Sequence, residues 1–151
     1  MNIEINAASQ GEYDRAYSLT RELMKYHNAL DIFTMTPERF KKLLDTKALA
    51  CLIAYVGGES AGVMNFFYKY TTFTGRKILY IEDLYVCPQF RGYGLGHKMF
   101  DAARQIASDN DCEQIELKCA VWNENSKKFY KSCGMETDKD WETFILNKSL
   151  F

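Results

Sequence analysis

The sequence has few of the residues that mark metal-binding, secreted or membrane proteins. It contains two histidines, and its five cysteines include no C-x-x-C pair, so no metal site is expected. An odd number of cysteines at irregular spacing favours free, reduced thiols. No apolar run approaches the ~20 residues of a membrane-spanning helix, and no leader pattern opens the chain. We therefore expect a cytoplasmic protein without a membrane partner.

Neither sign of charge is in large excess. The net charge is -1 at pH 7, so the sequence lacks the basic surplus that is typical of nucleic-acid binding. A hydrophobic content of 47% and an aromatic content of 15% predict a packed core and argue against disorder. The length of 151 residues predicts a single domain over residues 1–151.

The spacing of apolar residues predicts a mixture of strands and helices. The predicted strands lie at residues 3–6, 49–56, 61–70, 77–86, 114–120 and 143–146. The predicted helices begin near residues 9, 36, 94 and 123. The helix over residues 94–108 connects two consecutive strands, which predicts that these strands pair in parallel.

A basic, glycine-rich turn joins one predicted strand to the helix that follows. It reads Arg91-Gly92-Tyr93-Gly94-Leu95-Gly96. Glycines allow positive φ values, so that several backbone N–H groups can point toward one spot. The following helix adds its free N–H groups and its positive dipole end, and Arg91 adds a permanently charged donor. This turn predicts a phosphate or pyrophosphate site.

Two familiar phosphate-binding motifs do not fit this turn. The glycines at 92, 94 and 96 do not have the G-x-G-x-x-G spacing of a dinucleotide site, and they lie late in the chain. No Lys-Ser or Lys-Thr follows them, which excludes a P-loop.

The motifs from Lys77 onward resemble the GCN5-related N-acetyltransferase (GNAT) superfamily. Arg91, Gly94 and Gly96 occupy the fixed positions of its Gln/Arg-x-x-Gly-x-Gly/Ala signature. Within the superfamily the chain is most similar to the diamine and spermidine/spermine N-acetyltransferase branch. That likeness is carried by Leu79-Tyr80-Ile81-Glu82-Asp83-Leu84-Tyr85-Val86, Trp122-Asn123-Glu124-Asn125-Ser126, Phe129-Tyr130-Lys131 and Trp141.

The resemblance implies a fold, a reaction and a co-substrate. The fold would be an α/β (α+β) domain with a mixed, mostly antiparallel sheet of six to seven strands and about four helices. The reaction would be acetyl transfer from acetyl-CoA to a primary amine of a small molecule, a polyamine or diamine among them, by direct attack in a ternary complex. The turn and the resemblance together predict these cofactor-binding residues: Leu84, Tyr85, Val86, Arg91, Gly92, Tyr93, Gly94, Leu95, Gly96, His97, Asn123 and Ser126.

The resemblance also implies catalytic and substrate-binding residues. Glu82 matches the family's base, which acts through ordered water, and Tyr130 matches its general acid. Asp83 and Asp31, together with Glu82, would bind the cationic acceptor. Successive strand residues point to opposite faces, so Glu82 and Asp83 reach one pocket only if a β-bulge interrupts the strand.

Two alternatives remain open at this point. The acceptor is another amine, on an aminoglycoside, an amino acid or a protein, or the chain is a CoA-binding regulatory module without chemistry. The acidic residues that attract polycations in the polyamine branch are reduced here to Asp31. The resemblance also implies a homodimer.

Overall fold

The computed structural model describes all 151 residues, and they divide into two compact units. The first unit, Met1–Lys118, contains the sheet and three helices, and the second, Cys119–Phe151, contains one helix. The predicted number of four helices is confirmed. A single domain over residues 1–151 stays a prediction.

The first unit is built on one five-stranded sheet of order β1-β2-β3-β4-β5. The strands are β1 (Ile3–Ala7), β2 (Ala50–Val56), β3 (Glu59–Tyr70), β4 (Lys77–Val86) and β5 (Cys112–Leu117). The first four strands are antiparallel neighbours, and β4 pairs with β5 in parallel. The predicted mixed, mostly antiparallel sheet and its parallel pair are therefore confirmed.

The four helices begin where the sequence carries start signals. They are α1 (Tyr13–Tyr26), α2 (Pro37–Asp45), α3 (Leu95–Asp109) and α4 (Glu124–Ser132). A capping box precedes α1. The Thr36 hydroxyl accepts a hydrogen bond from the Arg39 N–H at 3.2 Å, and the Asn123 side chain accepts one from the Ser126 N–H at 3.1 Å. These caps satisfy backbone donors that the first helical turn leaves free.

The two faces of the sheet are covered by different helices. Leu19 of α1 and Phe40 of α2 are almost wholly buried and share one core cluster with Val63 of β3. Because consecutive strand residues point to opposite faces, Gly62 of β3 instead approaches Met99 of α3. The cavity described below lies on the α1 and α2 side.

The prediction of a last strand over residues 143–146 is wrong, and the sheet has five strands instead of six to seven. Residues 141–147 form no helix or strand. Phe144 and Ile145 are 90% and 76% exposed. The segment has residues of high β preference, but a strand forms only when its backbone groups find a neighbouring strand, and this segment has none within the chain.

Gly62 permits a close approach of β3, β4 and α3. A Cβ at this position would lie 2.6 Å from the Tyr85 carbonyl oxygen and 3.1 Å from the Met99 sulfur. Gly62→Ala should therefore lower the free energy of unfolding by roughly 1–3 kcal/mol, as overpacking typically does. Chemical denaturation checks this result. Gly11→Ala is the control, since nothing lies within 4 Å of a Cβ there, and equal stability of the two variants would contradict the prediction.

Candidate active site

A β-bulge in β4 directs two neighbouring carboxylates into one cavity. On β3, Asn65 pairs with Asp83 and Phe66 pairs with Ile81, so that Glu82 is the extra residue of the bulge. Glu82 and Asp83 both line a cavity of about 650 Å³. The bulge expected in this strand is present, and it resolves the conflict between strand alternation and a shared pocket.

Most of the remaining cavity wall is apolar. Its apolar side chains come from α1 and the loop after it, from α2, from the segment before β2 and from β3: Met24, Ile32, Phe33, Met35, Phe40, Leu43, Ala48, Leu49 and Phe67. Arg39 of α2 is the one cationic residue in the lining. Asp31, which the sequence predicts to bind substrate, is exposed and does not line the cavity, whereas its neighbour Ile32 does. The cavity suits a ligand with charged groups on an apolar chain.

Hydrogen bonds between buried side chains hold Asp83. The Asn65 side-chain amide donates to Asp83 Oδ2 at 2.9 Å and to Thr20 Oγ1 at 2.8 Å. Thr20 in turn donates to the Ala16 carbonyl oxygen at 2.9 Å. Asn65 is fully buried, and its Oδ1 has no hydrogen-bond partner. The amide is therefore used entirely as a donor, which fixes its orientation toward the carboxylate.

The environment of Asp83 makes its carboxylate unusually basic. Burial raises the pKa of Asp83 to about 6, the hydrogen bond from Asn65 opposes that rise, and the charge of Glu82 adds to it. At pH 7 the group is still mostly ionised. A partly buried anion in an apolar cavity attracts a cationic ligand, because that ligand replaces the solvation that the carboxylate has lost.

The glycine turn before α3 has the geometry of an anion site. Gly92 and Gly94 have φ values of 84° and 79°, and a Cβ on either would meet nothing within 4 Å, so backbone conformation rather than crowding requires glycine there. Gly96 is different, since it lies inside α3. No side-chain hydrogen bond caps α3, which leaves its first N–H groups to a ligand. These residues fit the phosphates of coenzyme A.

Arg91 braces this turn. Its Nε donates to the Val86 carbonyl oxygen at 2.8 Å. Its guanidinium carbon lies 5.0 Å from the ring centroid of Tyr26 and 5.6 Å from that of Tyr85. These contacts hold the planar group in place and leave further N–H donors for an anion. Tyr93 and His97 are exposed beside it, while Leu95 is buried under the helix start.

One backbone edge of β4 stays open beyond its bulge. The parallel pairing with β5 ends at Ile81 and Leu117, whereas β4 continues to Val86 with β3 alone as its neighbour. No strand pairs with this edge at Leu84–Val86, so that its backbone groups, apart from the Val86 carbonyl oxygen that accepts from Arg91, are available to an extended ligand, as β-augmentation requires.

The second unit carries the remaining predicted residues on α4. Asn123 is buried and caps this helix by accepting from the Ser126 N–H. Ser126 and Tyr130 lie four residues apart in α4 and therefore share a face. Tyr130 is partly buried, with its ring 5.2 Å from that of Phe129.

The cysteines near the predicted site residues have the properties of packing residues. All five cysteines are free thiols. Burial raises the pKa of the Cys87 thiol, and burial also raises that of Cys119. Both thiols stay protonated at neutral pH, which makes them poor nucleophiles.

Sequence reasoning missed Thr20, Asn65 and Arg39 as residues of this cavity. Asn65 carries a recognisable signal, because it is a polar residue inside the apolar run of β3 and such a residue needs a buried partner. Thr20 carries no such local signal, and the signal of Arg39 is of another kind, a cation in the first turn of a helix.

Comparison with known proteins identifies the family of the chain. The model of the Acetyltransferase (GNAT) family matches residues 16–135. The thialysine N-epsilon-acetyltransferase of Caenorhabditis elegans is 30% identical over 149 residues, which cover 97% of this chain and 92% of the relative. The human spermidine/spermine N(1)-acetyltransferase-like protein 1 is 28% identical over 96% of this chain and 22% of its own length.

A solved structure shows the same fold. An aminoglycoside acetyltransferase from an uncultured soil metagenomic sample, in complex with sisomicin, matches with a TM-score of 0.82 at 16% identity. The match covers 96% of this chain and 95% of that one.

The family match defines a CoA-dependent acyltransferase, and the open β4 edge and the glycine turn are compatible with that class. The chain belongs to the Acetyltransferase (GNAT) family, and it is an N-acetyltransferase with acetyl-CoA as its co-substrate. The relatives agree with the diamine and spermidine/spermine branch indicated by the sequence. No helix is long and apolar enough to cross a membrane.

The raised pKa of Asp83 makes stability depend on pH. The native carboxyl binds its proton more tightly than the unfolded chain does, so its contribution to stability is present at low pH and is lost as pH rises through about 6. Asp83→Asn should therefore be more stable than wild type at pH 8, by about 2 kcal/mol. The advantage should shrink toward pH 4. Denaturant unfolding at both pH values checks this, and an advantage independent of pH would contradict it.

Proposed function

We propose that this enzyme transfers the acetyl group of acetyl-CoA to a primary amine of a small molecule, by direct attack in a ternary complex. The observation that carries the proposal is the bulge that places Glu82 and Asp83 together in a largely apolar cavity. Two carboxylates at that position attract a protonated amine and offer a site for its proton.

The carboxylates have different roles in this proposal. An alkylamine with a pKa of ~10.4 is protonated at neutral pH and must lose a proton before it attacks. Glu82, exposed at the cavity, takes that proton through water. Asp83, held by Asn65 and mostly ionised at pH 7, binds the cation and orients it. The amine is thereby bound as an ammonium and reacts as a free base.

Residues of the first unit would hold the co-substrate and stabilise developing charge. Bound acetyl-CoA supplies an activated acetyl group as a thioester. The turn at 91–97 binds its phosphates, and the edge at Leu84–Val86 pairs with its amides. A backbone N–H near Tyr85 donates to the carbonyl oxygen as negative charge develops there, which is typically worth ~2.7–4 kcal/mol. Asn123 and Ser126 also contact the co-substrate in this proposal.

Tyr130 is the proposed general acid. Its hydroxyl donates a proton to the departing thiolate. In bulk water this transfer is uphill by about 2 kcal/mol, because a thiol has a pKa of ~8.5 and tyrosine one of ~10. The proton therefore moves as negative charge develops on sulfur, with the hydrogen bond to Tyr130 stabilising that charge.

The names of the relatives supply two candidates for the acceptor. One relative is named for spermidine and spermine, which supports a polyamine or diamine, and another is named for the ε-amine of thialysine, an amino acid. An amine on an aminoglycoside or a protein is a further alternative, and a CoA-binding module without chemistry is the alternative from another class.

We also propose that the protein is a cytoplasmic homodimer. Free cysteines support the compartment. The exposed side chains of Trp141, Phe144 and Phe151 support pairing through the carboxy-terminal segment.

Light scattering should give a mass of twice 17.5 kDa. Truncation before Trp141 should give a monomer, and a wild-type monomer would contradict the proposal.

Tyr130→Phe tests the reaction and its acid together. Thiol release from acetyl-CoA is measured with spermidine, spermine, putrescine, lysine analogues and aminoglycosides. We expect turnover of at least one small amine, with kcat lowered roughly 10²–10⁴-fold in the variant, as for loss of a general acid. Affinity for CoA should be unchanged.

The matched control is Tyr70→Phe, which removes an exposed hydroxyl at the end of β3 and should leave kcat unchanged. Turnover only with protein or peptide amines would overturn the small-molecule acceptor. Measurable CoA binding without any turnover would favour the regulatory module.

A further inference from the structure

We propose that Arg39 binds a carboxylate of the acceptor, so that the enzyme prefers an amino acid with a terminal amine on an apolar chain over a diamine or polyamine. This inference rests on the proposed function, because it assigns the acceptor of the same cavity. It also assigns Arg39 as the residue that determines specificity.

The charges that line the cavity have both signs. Glu82 and Asp83 on β4 are the anionic groups, and Arg39 on α2 is the one cationic group. A ligand that complements this lining needs an ammonium for the carboxylates and an anion for the guanidinium. A carboxylate is an anion of this kind, since it and the guanidinium are planar groups that form paired hydrogen bonds.

The Arg39 guanidinium has no partner within the protein. The guanidinium forms no salt bridge and no hydrogen bond within the protein, whereas the backbone N–H of the same residue donates to Thr36 Oγ1 at 3.2 Å. A neighbour on the same helix behaves differently, since Lys41 pairs with Asp14 at 2.9 Å. The five donors of Arg39 are thus available to a ligand in the cavity.

The position of Arg39 in its helix has no local advantage. It lies in the first turn of α2, where the positive end of the helix dipole disfavours a cation. A residue that violates a local preference without compensation within the chain is typical of a functional position. An anionic ligand group would supply the compensation.

The anionic and cationic groups of the cavity are not paired with each other. Arg39 lies on α2 and the two carboxylates on β4, and no ion pair joins Arg39 to Glu82 or Asp83. The rest of the cavity lining includes Phe33, Phe40 and Phe67, against which the methylene groups or a thioether of the acceptor can pack. A lysine-like chain carries its charges at opposite ends of such a segment, as this lining requires.

A polyamine does not match the same lining. Its first ammonium would be accepted by the carboxylates, but an ammonium that reached Arg39 would meet a like charge. Discrimination against polyamines therefore comes from repulsion as well as from the missing carboxylate.

The test compares two acceptors that differ only in the carboxylate, lysine and 1,5-diaminopentane. With wild type we expect kcat/KM to be at least roughly 10-fold higher for lysine. Arg39→Gln should lower kcat/KM for lysine roughly 10- to 100-fold, through KM rather than kcat, because the lost contact is made equally before and during reaction. Its kcat/KM for 1,5-diaminopentane should be unchanged or higher.

Lys42→Gln is the matched control, because it removes the same charge from the same helix at an exposed residue outside the cavity lining. Its kinetics should equal those of wild type. An equal loss in both Gln variants, or an equal loss with both acceptors, would overturn the inference. Efficient use of the diamine with no effect of Arg39→Gln would overturn it and leave the proposed function standing. No turnover of any amine would overturn both.

Discussion

The candidate site depends on one irregularity, the bulge at Glu82. A regular β4 would send Glu82 and Asp83 to opposite faces of the sheet, and no shared carboxylate pocket would exist. The bulge directs both into one cavity, and the amide of Asn65 holds Asp83 there. Because Thr20 also accepts from that amide, α1 and β3 both position the carboxylate. Bulges beside active sites commonly re-aim side chains in this way.

Strand β4 both completes the sheet and exposes a backbone edge. Its first half pairs on both sides and completes the sheet, and its second half loses the β5 neighbour and exposes a backbone edge beside the glycine turn. Acetyl transfer needs the co-substrate and the amine to meet, and β4 carries candidate groups for both. The carboxylates belong to the bulge, and the open edge with Arg91 belongs to its carboxyl end.

Local signals and long-range contacts account for different parts of the structure. Helix starts at Thr36 and Asn123 were predictable because a cap and its partner lie three residues apart. The strand at 143–146 was wrongly predicted because β preference is local, whereas strand pairing is not. The assignment of Asp31 to substrate binding stays a prediction, and the structure adds that its neighbour Ile32 lines the cavity.

The sequence by itself determined the family, the order of most elements and the glycine-rich turn before α3, because residues 91–97 are contiguous and their chemistry can be inferred from local sequence. Tertiary structure alone decided the cavity. Its groups come from α1, α2, β3 and β4, and the contacts between Thr20, Asn65 and Asp83 join residues far apart in the chain. The position of Arg39 is also decided by tertiary structure, since only packing places it in the lining of the cavity that holds the carboxylates. Burial also sets the pKa of Asp83, and burial is a property of the folded chain.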